Sequence, residues 1–584
     1  MQQGNEPKRR REENSIVNST MGTVDCLSQL PEALMLRILF LLPVREAART
    51  SLLSKTWRRL WSSLPTESFK FRYSSFPRNC VPEEGENVGN EEILDKFIKY
   101  VDDSLFRIRS EKVKIESFLL HLPYSESKLQ SHMDEWIELV TKNPVKEFEI
   151  YSDRCHAHSD WYVLPRTISV AKSLSALNLQ GLKLDEITFL GHSKFPCLRN
   201  LSLSKVHLSR TTAEKLLSSC PLLEQFELRS CLGFSHLCIP NLPKLKKVEV
   251  YYLDGIVIEA SNLEILDCTI LSSNLELGAL PCNNLKELTV HSNPTIINQC
   301  IQEVFAKFLL LETLNLDYNF SSYEPYRISF IISRHQLKSL SLSVSGDPEA
   351  IEINAPNLKS YRFSSNTVPS SLIMNASSLQ EATFELHVDD VVDIDTEWFI
   401  NLLKYLMMFK NHKFLCLTIF SYASVTFNPM EWRGRCGSEL PILENLILVM
   451  TSSKENHEAV LENLMLGMTS SKENYEALLD GLLWCCRPKT LSVALENERN
   501  RELVKFLCKA FTKGKDSFRR SSHCNFSRWR HHLKDAKIEG LEVFDERGLE
   551  SLLSFDEYKL VTFELTWEAE DKGLESLLTS EGYN

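Results

Sequence analysis

The chain has 584 residues, 43% of them hydrophobic and 25% charged, which is ordinary for globular protein and long enough for three to five domains or one long repeat array. A formal net charge of −12 argues against a nucleic-acid binder, because neutralising phosphates needs basic surface. No run reaches the ~18 apolar residues that would span a membrane, and no apolar segment follows the start, so the expectation is a protein of the nucleus and/or cytoplasm with neither membrane nor nucleic acid as partner.

Residues 1–22 form a polar leader, expected to be disordered, with the basic run Lys8, Arg9, Arg10 and Arg11. Such a run is either a nuclear localisation signal or a solvated tail. From Leu30 to Trp61 the sequence is LPEALMLRILFLLPVREAARTSLLSKTWRRLW, with no glycine and more apolar surface than so short a segment can bury. Pro31 suits the first turn of a helix. Leu34, Ile38 and Leu42 follow at four-residue spacing, with Met35 and Leu39 beside them, until Pro43 ends the stripe. A second helical run, Val44 to Leu53, offers the small residues Ala47, Ala48 and Ser51, and a third, Lys55 to Ser62, carries Trp57, Leu60 and Trp61 on one face. Each large apolar side chain left exposed forgoes roughly 1.5–3 kcal/mol of burial. The surface must be covered by the rest of the chain or by a partner.

The stretch Asp25–Pro65 resembles the F-box, specifically its plant form, in Leu30-Pro31, in Leu41-Leu42-Pro43 and in Leu53-Ser54-Lys55-Thr56-Trp57-Arg58-Arg59-Leu60-Trp61. The resemblance implies a three-helix F-box over 23–69 that docks onto a Skp-type adaptor and through it a cullin ubiquitin ligase. It further implies that Leu30 and Pro31 insert into the adaptor and that Leu34, Ile38, Leu42, Pro43 and Val44 extend the apolar contact. For Trp57, Leu60 and Trp61 two roles stay open, adaptor contact or holding the helices together.

Residues 77–92, PRNCVPEEGENVGNEE, are Pro-containing and acidic, as in a loop or linker. From Ile115 an apolar-x-x-apolar-x-apolar pattern returns, as in Leu174, Leu177, Leu179 and in Leu311, Leu314, Leu316, with weaker copies beginning at Leu263, Leu379 and Phe414. Successive copies start 18 to 35 residues apart, mostly in or near the 20–29-residue window of leucine-rich repeats. The last two apolar positions of a copy share one face of a short strand. One such turn cannot close a core, but stacked turns share a continuous one. The expectation is an α/β chain with an irregular leucine-rich-repeat solenoid, or horseshoe, over 110–450. Asn178, Ser202, Glu227, Glu249, Thr289, Asn315 and Ser341 should line its concave face, either as a row that binds a protein target or as solvated side chains. The stretch SLSLSKVHLSRTTAEKLLSSCPLLEQFEL resembles plant F-box/leucine-rich-repeat proteins, with a helix expected from Thr211 or Thr212 to Cys220-Pro221.

Residues 443–459 return almost unchanged at 461–477, a period of 18, and each copy pairs a short strand with a Ser-x-x-Glu helix start, at Ser452 and at Ser470. Whether both copies form turns stays open. Glu502–Leu507 and Arg528–Ile538 resemble the FBD-like region of plant F-box proteins, which makes 451–584 a duplicated repeat segment followed by an α+β tail. The basic and aromatic residues around Trp529 are then a binding patch or part of a structural tail. Between Val543 and Asn584 stand eleven acidic and three basic residues, as in a solvated acidic end.

The sixteen cysteines are scattered with no C-x-x-C, as buried small hydrophobes are in a reducing compartment. Cys155-His156-Ala157-His158 and His523-Cys524 with His531-His532 lack zinc-site spacing. No phosphate-binding glycine loop and no nucleophile elbow occurs. The chain is therefore expected to hold no metal, cofactor or catalytic residue. It is expected to be the substrate-recognition subunit of a Skp-cullin-F-box ubiquitin ligase, its repeats binding an unidentified protein target. A ligase-independent repeat scaffold, or a receptor with a small molecule on the repeat face, are the alternatives.

Overall fold

The computed structural model describes residues 30–41, 49–63, 68–76, 90–111, 115–122, 127–152, 161–186, 195–270, 281–292, 304–318, 327–344, 347–369, 371–388, 394–409, 414–421, 425–433, 435, 440–449, 472–494, 498–512, 529, 532–539 and 560–568. Among the described residues the helices α1 (Glu32–Leu41) and α2 (Lys55–Ser63) come first, with Arg49 and Thr50 also helical between them, and an 18-stranded sheet follows. Its strands are β1 (Ser68–Arg72), β2 (Ser117–Leu122), β3 (Glu147–Ser152), β4 (Ala176–Gln180), β5 (Asn200–Ser204), β6 (Gln225–Arg229), β7 (Lys247–Leu253), β8 (Ile265–Ile270) and β9 (Glu287–Ser292). They continue as β10 (Thr313–Tyr318), β11 (Ser339–Val344), β12 (Ser360–Ser365), β13 (Glu381–Val388), β14 (Phe414–Ser421), β15 (Ile442–Val449), β16 (Arg487–Ala494), β17 (Leu533–Ile538) and β18 (Leu560–Trp567).

From β1 to β16 each strand pairs in parallel with the next in sequence. The register follows the sequence pattern. Leu177 stands opposite Leu201, then Phe226, Val248, Leu266, Leu288, Leu314 and Leu340, and all are buried. The anchors before the strands, such as Leu174, Leu198 and Leu223, are buried too. The expected solenoid is therefore present, with one continuous apolar core behind the sheet.

Other helices lie along the chain at α3 (Asn90–Glu111), α4 (Ser127–Thr141), α5 (Arg210–Ser218), α6 (Thr396–Met407), α7 (Pro429–Arg433), α8 (Lys472–Cys485) and α9 (Glu498–Thr512). Helix α5 starts one or two residues before Thr211 and Thr212. Ser209 caps it, accepting a hydrogen bond from the Thr212 backbone N–H at 3.1 Å. Asp395 caps α6 in the same way through Trp398.

One backbone device recurs where strands leave the sheet. Gly181, Lys205, Ser230 and Tyr252 each follow register partners and each has positive φ, between 49° and 70°. Only the first is glycine. At Gly181 an added Cβ would lie 2.3 Å from the Ser152 carbonyl oxygen.

The repeat ladder extends past both ends of the 110–450 span. Strand β1 precedes the 77–92 segment, which therefore lies between paired strands and does not separate the F-box from the repeats. The sequence hid this because SFKFR offers only Phe69 and Phe71, without the anchor of a full copy. Only residues 64–67 separate α2 from β1, and 77–89 lie outside the described residues. At the other end β16 continues the parallel ladder beyond residue 450.

Beyond β16 the chain direction reverses. Strand β18 pairs antiparallel with β16, and β17 with β18, so the α+β tail covers the last parallel edge. Trp529 is buried and donates to Asp480 of α8 at 2.6 Å, and Trp567 donates to the Pro488 carbonyl at 2.8 Å. Of the two readings for Trp529, this burial supports the structural tail. The basic leader, Cys155–His158, His523, Cys524, His531 and the acidic terminal stretch from 569 lie outside the described residues. No helix among the described residues is long and apolar enough to cross a membrane.

Gly181→Ala should lower stability by about 1–3 kcal/mol, because it adds a clash to a left-handed backbone. Lys205→Gly should raise it by up to about 1 kcal/mol by relieving the same backbone cost. Thermal or urea unfolding of the two variants checks the opposite signs.

Candidate binding faces

The first face belongs to α1 and α2. Met35, Leu39, Trp57 and Leu60 form a small core of their own, with Leu30, Leu36 and Ile38 packed against it. Arg59 of α2 pairs with Glu32 in the first turn of α1, and the Pro31 carbonyl accepts the first helical hydrogen bonds, from Leu34 at 2.9 Å and Met35 at 3.1 Å. Trp57 and Leu60 are 1% and 3% exposed, so of the two roles left open for them this burial supports the packing between helices. The same core takes part of Leu30 and Ile38, which are half-buried.

Pro31 is exposed and Leu34 is 49% exposed. The second helical run is described only from Arg49, and Leu42, Pro43 and Val44 lie outside the described residues, as does the side chain of Trp61. Two further apolar residues, missed by the sequence reasoning, are exposed: Leu52 is 78% and Leu53 54% exposed. The signal was present, since this leucine pair falls off the small-residue stripe of the second run. Apolar side chains held out from a satisfied core are candidates for contact with a partner.

The second face is the open side of the sheet. All seven residues expected there fall in one register row: Asn178, Ser202, Glu227, Glu249, Thr289, Asn315 and Ser341. All are half-buried. The row is unbroken because Asp267 fills the position between Glu249 and Thr289. Its copy is weak in sequence because Cys268 takes the place of the last leucine. That thiol is buried, and burial pushes its pKa up to about 12.

Side chains along this face are tied to one another. Ser202 donates to Glu227 at 3.0 Å, and Arg229 pairs with Glu227 while lying 4.5 Å from the centre of the Tyr251 ring. Tyr251 donates to Asp267 at 2.7 Å. His291 lies between two carboxylates, 3.1 Å from Asp267 and 2.9 Å from Asp317. Hydrogen bonds to Asp267 and then Asp317 outweigh desolvation and raise its pKa to about 9. His291 is therefore charged at neutral pH, both ring nitrogens donate, and it has no lone pair for a proton or a metal. The arrangement is an ordered hydrogen-bonding surface.

Residues 27–68 match the family model described as the F-box domain, and residues 107–325 match the one described as the At1g61320/AtMIF1, LRR domain. The chain is 28% identical over 297 residues to the F-box/FBD/LRR-repeat protein At1g78750 of Arabidopsis thaliana, covering 48% of this chain and 60% of that protein. It is 32% identical over 206 residues to the FBD-associated F-box protein At5g56370 of the same plant, covering 35% and 43%. It is 26% identical over 391 residues to the putative F-box/FBD/LRR-repeat protein At2g05300, covering 60% and 82%. The chain thus spans 60% and 43% of the length of the first two relatives.

Folding raises the His291 pKa, so the stabilisation it brings is complete below the ordinary histidine value of about 6.5 and is lost as pH rises through about 9. Between pH 6.5 and 9 the wild type should lose more stability to urea than His291→Gln does. Asp317→Asn should move the His291 titration back toward the ordinary value, as followed by NMR.

Proposed function

We propose that this F-box/leucine-rich-repeat protein is the substrate-recognition subunit of a Skp-cullin-F-box ubiquitin ligase. The observation that carries the reading is the pairing, in one chain, of an F-box with apolar side chains held outside its own core and a repeat sheet with an ordered polar row. The F-box binds the adaptor through Leu30, Pro31, Leu34 and Ile38, joined by Leu52 and Leu53. Leu42, Pro43 and Val44 extend the contact. The row from Asn178 to Ser341 binds the target protein. Other subunits transfer ubiquitin, and this chain contributes proximity by raising the effective concentration of target lysines near the charged enzyme. No residue of the chain is assigned a catalytic role. The basic run Lys8–Arg11 directs the chain to the nucleus.

Leu30→Ala with Pro31→Ala should abolish co-purification with a Skp-type adaptor while the repeats melt as in the wild type. Retention of wild-type binding would refute the interface. Trp57→Ala should also lose the adaptor, but by unfolding the F-box, at a cost of about 3–5 kcal/mol. Limited proteolysis of the full-length chain, which should cleave the Trp57 variant within the F-box and spare the double variant, separates the two effects. Replacing Lys8, Arg9, Arg10 and Arg11 by Ala should shift a fluorescent fusion toward the cytoplasm, and an unchanged distribution would contradict the signal.

A further inference from the structure

A row of charges runs along the rim where the parallel strands begin. Arg199, Glu224, Lys246, Glu264, Lys286, Glu312 and Lys338 each immediately precede a strand, from β5 to β11 in order. Backbone hydrogen bonds hold them as neighbours. The Glu224 N–H donates to the Arg199 carbonyl at 2.8 Å, that of Lys246 to Glu224 at 2.9 Å and that of Glu264 to Lys246 at 2.9 Å. Lys286 donates to Glu264, Glu312 to Lys286 and Lys338 to Glu312, each at 2.8 Å. The signs alternate without a break over these seven rungs. Arg199 pairs with Glu224, Glu264 lies 2.8 Å from Lys286 and 4.0 Å from Lys246, and Glu312 lies 2.7 Å from Lys338. The alternation ends at Lys359, which follows Lys338 on the rim, with Gln380 beyond it.

These side chains stand at the surface, where an ion pair adds little stability. They do distinguish one repeat from another, and the core behind them does not. From β5 to β11 the two inward residues of each copy are aliphatic or cysteine, and Phe226 is the one aromatic among them. Apolar residues of similar volume replace one another at small cost, so these repeats accept a wrong neighbour nearly as well as the right one. Loop closure does not prevent the error, because its entropy grows slowly with loop length. Where the alternation stops, the inward residues change. Strand β12 buries Tyr361 and Phe363, and β13 buries Phe384. The Phe384 ring centroid lies 4.9 Å from that of Tyr405, whose hydroxyl is 3.3 Å from that of Tyr361. Rings interlocked in this way specify their neighbours by shape.

We propose that the alternating row keeps the repeats from β5 to β11 in order during folding, because every pairing that skips one repeat brings like charges together. Skipping β10 sets Lys286 against Lys338, and skipping β9 sets Glu264 against Glu312. Like charges directly opposite in neighbouring strands are unfavourable, and a contact that penalises the wrong arrangement specifies the right one. Repeat chains fail characteristically by misassembly of similar units, and the row acts against that failure where the apolar pattern is most uniform. The order of the repeats is also the order of the side chains along the open face, so the row on the rim secures the row on the face.

The test refolds the full-length chain from urea with a reporter for a skipped strand. Thr289 in β9 and Ser341 in β11 stand on either side of Asn315 in β10. Two strand spacings, about 9–10 Å, hold them beyond the reach of a disulfide, and skipping β10 makes them neighbours. Thr289→Cys with Ser341→Cys is placed in three backgrounds. One keeps the natural row, one replaces all its charged residues by Gln, and one inverts every sign (Arg199→Glu, Glu224→Lys and so on to Lys338→Glu). After refolding under oxidising conditions, peptide mapping should find the two new thiols linked several-fold more often in the neutral row than in the natural row. The inverted row, which keeps the alternation, should link no more often than the natural one. The neutral row should still melt within a few degrees of the natural row. Equal linkage in the natural and neutral rows refutes the proposal, and so does an inverted row that links as often as the neutral one. A neutral row that melts much lower without added linkage makes the row a stabiliser only and overturns the proposal as well.

Discussion

Shared register is the constraint on which this molecule depends. A single apolar-x-x-apolar-x-apolar turn buries too little to hold itself, and it becomes stable only when its two inward residues meet those of the turns on either side. The line from Leu177 through Phe226 and Leu288 to Leu340 is that condition met strand after strand. The same register that aligns the buried residues also aligns the residues between them. The open face is therefore a consequence of the core. A chain that keeps its leucines in step obtains a straight row of polar side chains, whose identities remain free to vary.

At the ends of such an array the condition fails, because a terminal turn has one neighbour. The tail answers this at the last parallel strand, where β18 runs antiparallel along β16 and Trp529 and Trp567 fasten it to α8 and to Pro488. The F-box answers a different problem. It satisfies its few large side chains in a core of its own around Trp57, and it leaves leucines outside that core. Only 64–67 then separate it from β1, so the two faces sit on a chain with little slack between them.

Much of this was legible in the sequence. The leucine spacing located the solenoid, and alternation along each strand named seven residues that the register joins into one row. Asp267 was missed because a buried cysteine stands where the pattern expects leucine. Strand β1 was missed because two phenylalanines without an anchor do not announce a repeat, and its partner β2 lies beyond an acidic segment. The roles of Trp57 and Leu60 could not be told from spacing, because an amphipathic stripe looks the same whether it meets its own helices or a partner. The contacts among Arg229, Tyr251, Asp267, His291 and Asp317 join residues from different repeats, and only the ladder brings them together.

The central claim is that two surfaces on one chain do separate work, the F-box for the adaptor and the sheet's open face for a target. Hydrogen exchange of the full-length chain, with and without a Skp-type adaptor, tests it most directly. The account predicts new protection confined to the segment from Leu30 to Leu53, with exchange across β4 to β11 unchanged. Protection spread over those strands, or none at the F-box, would contradict it.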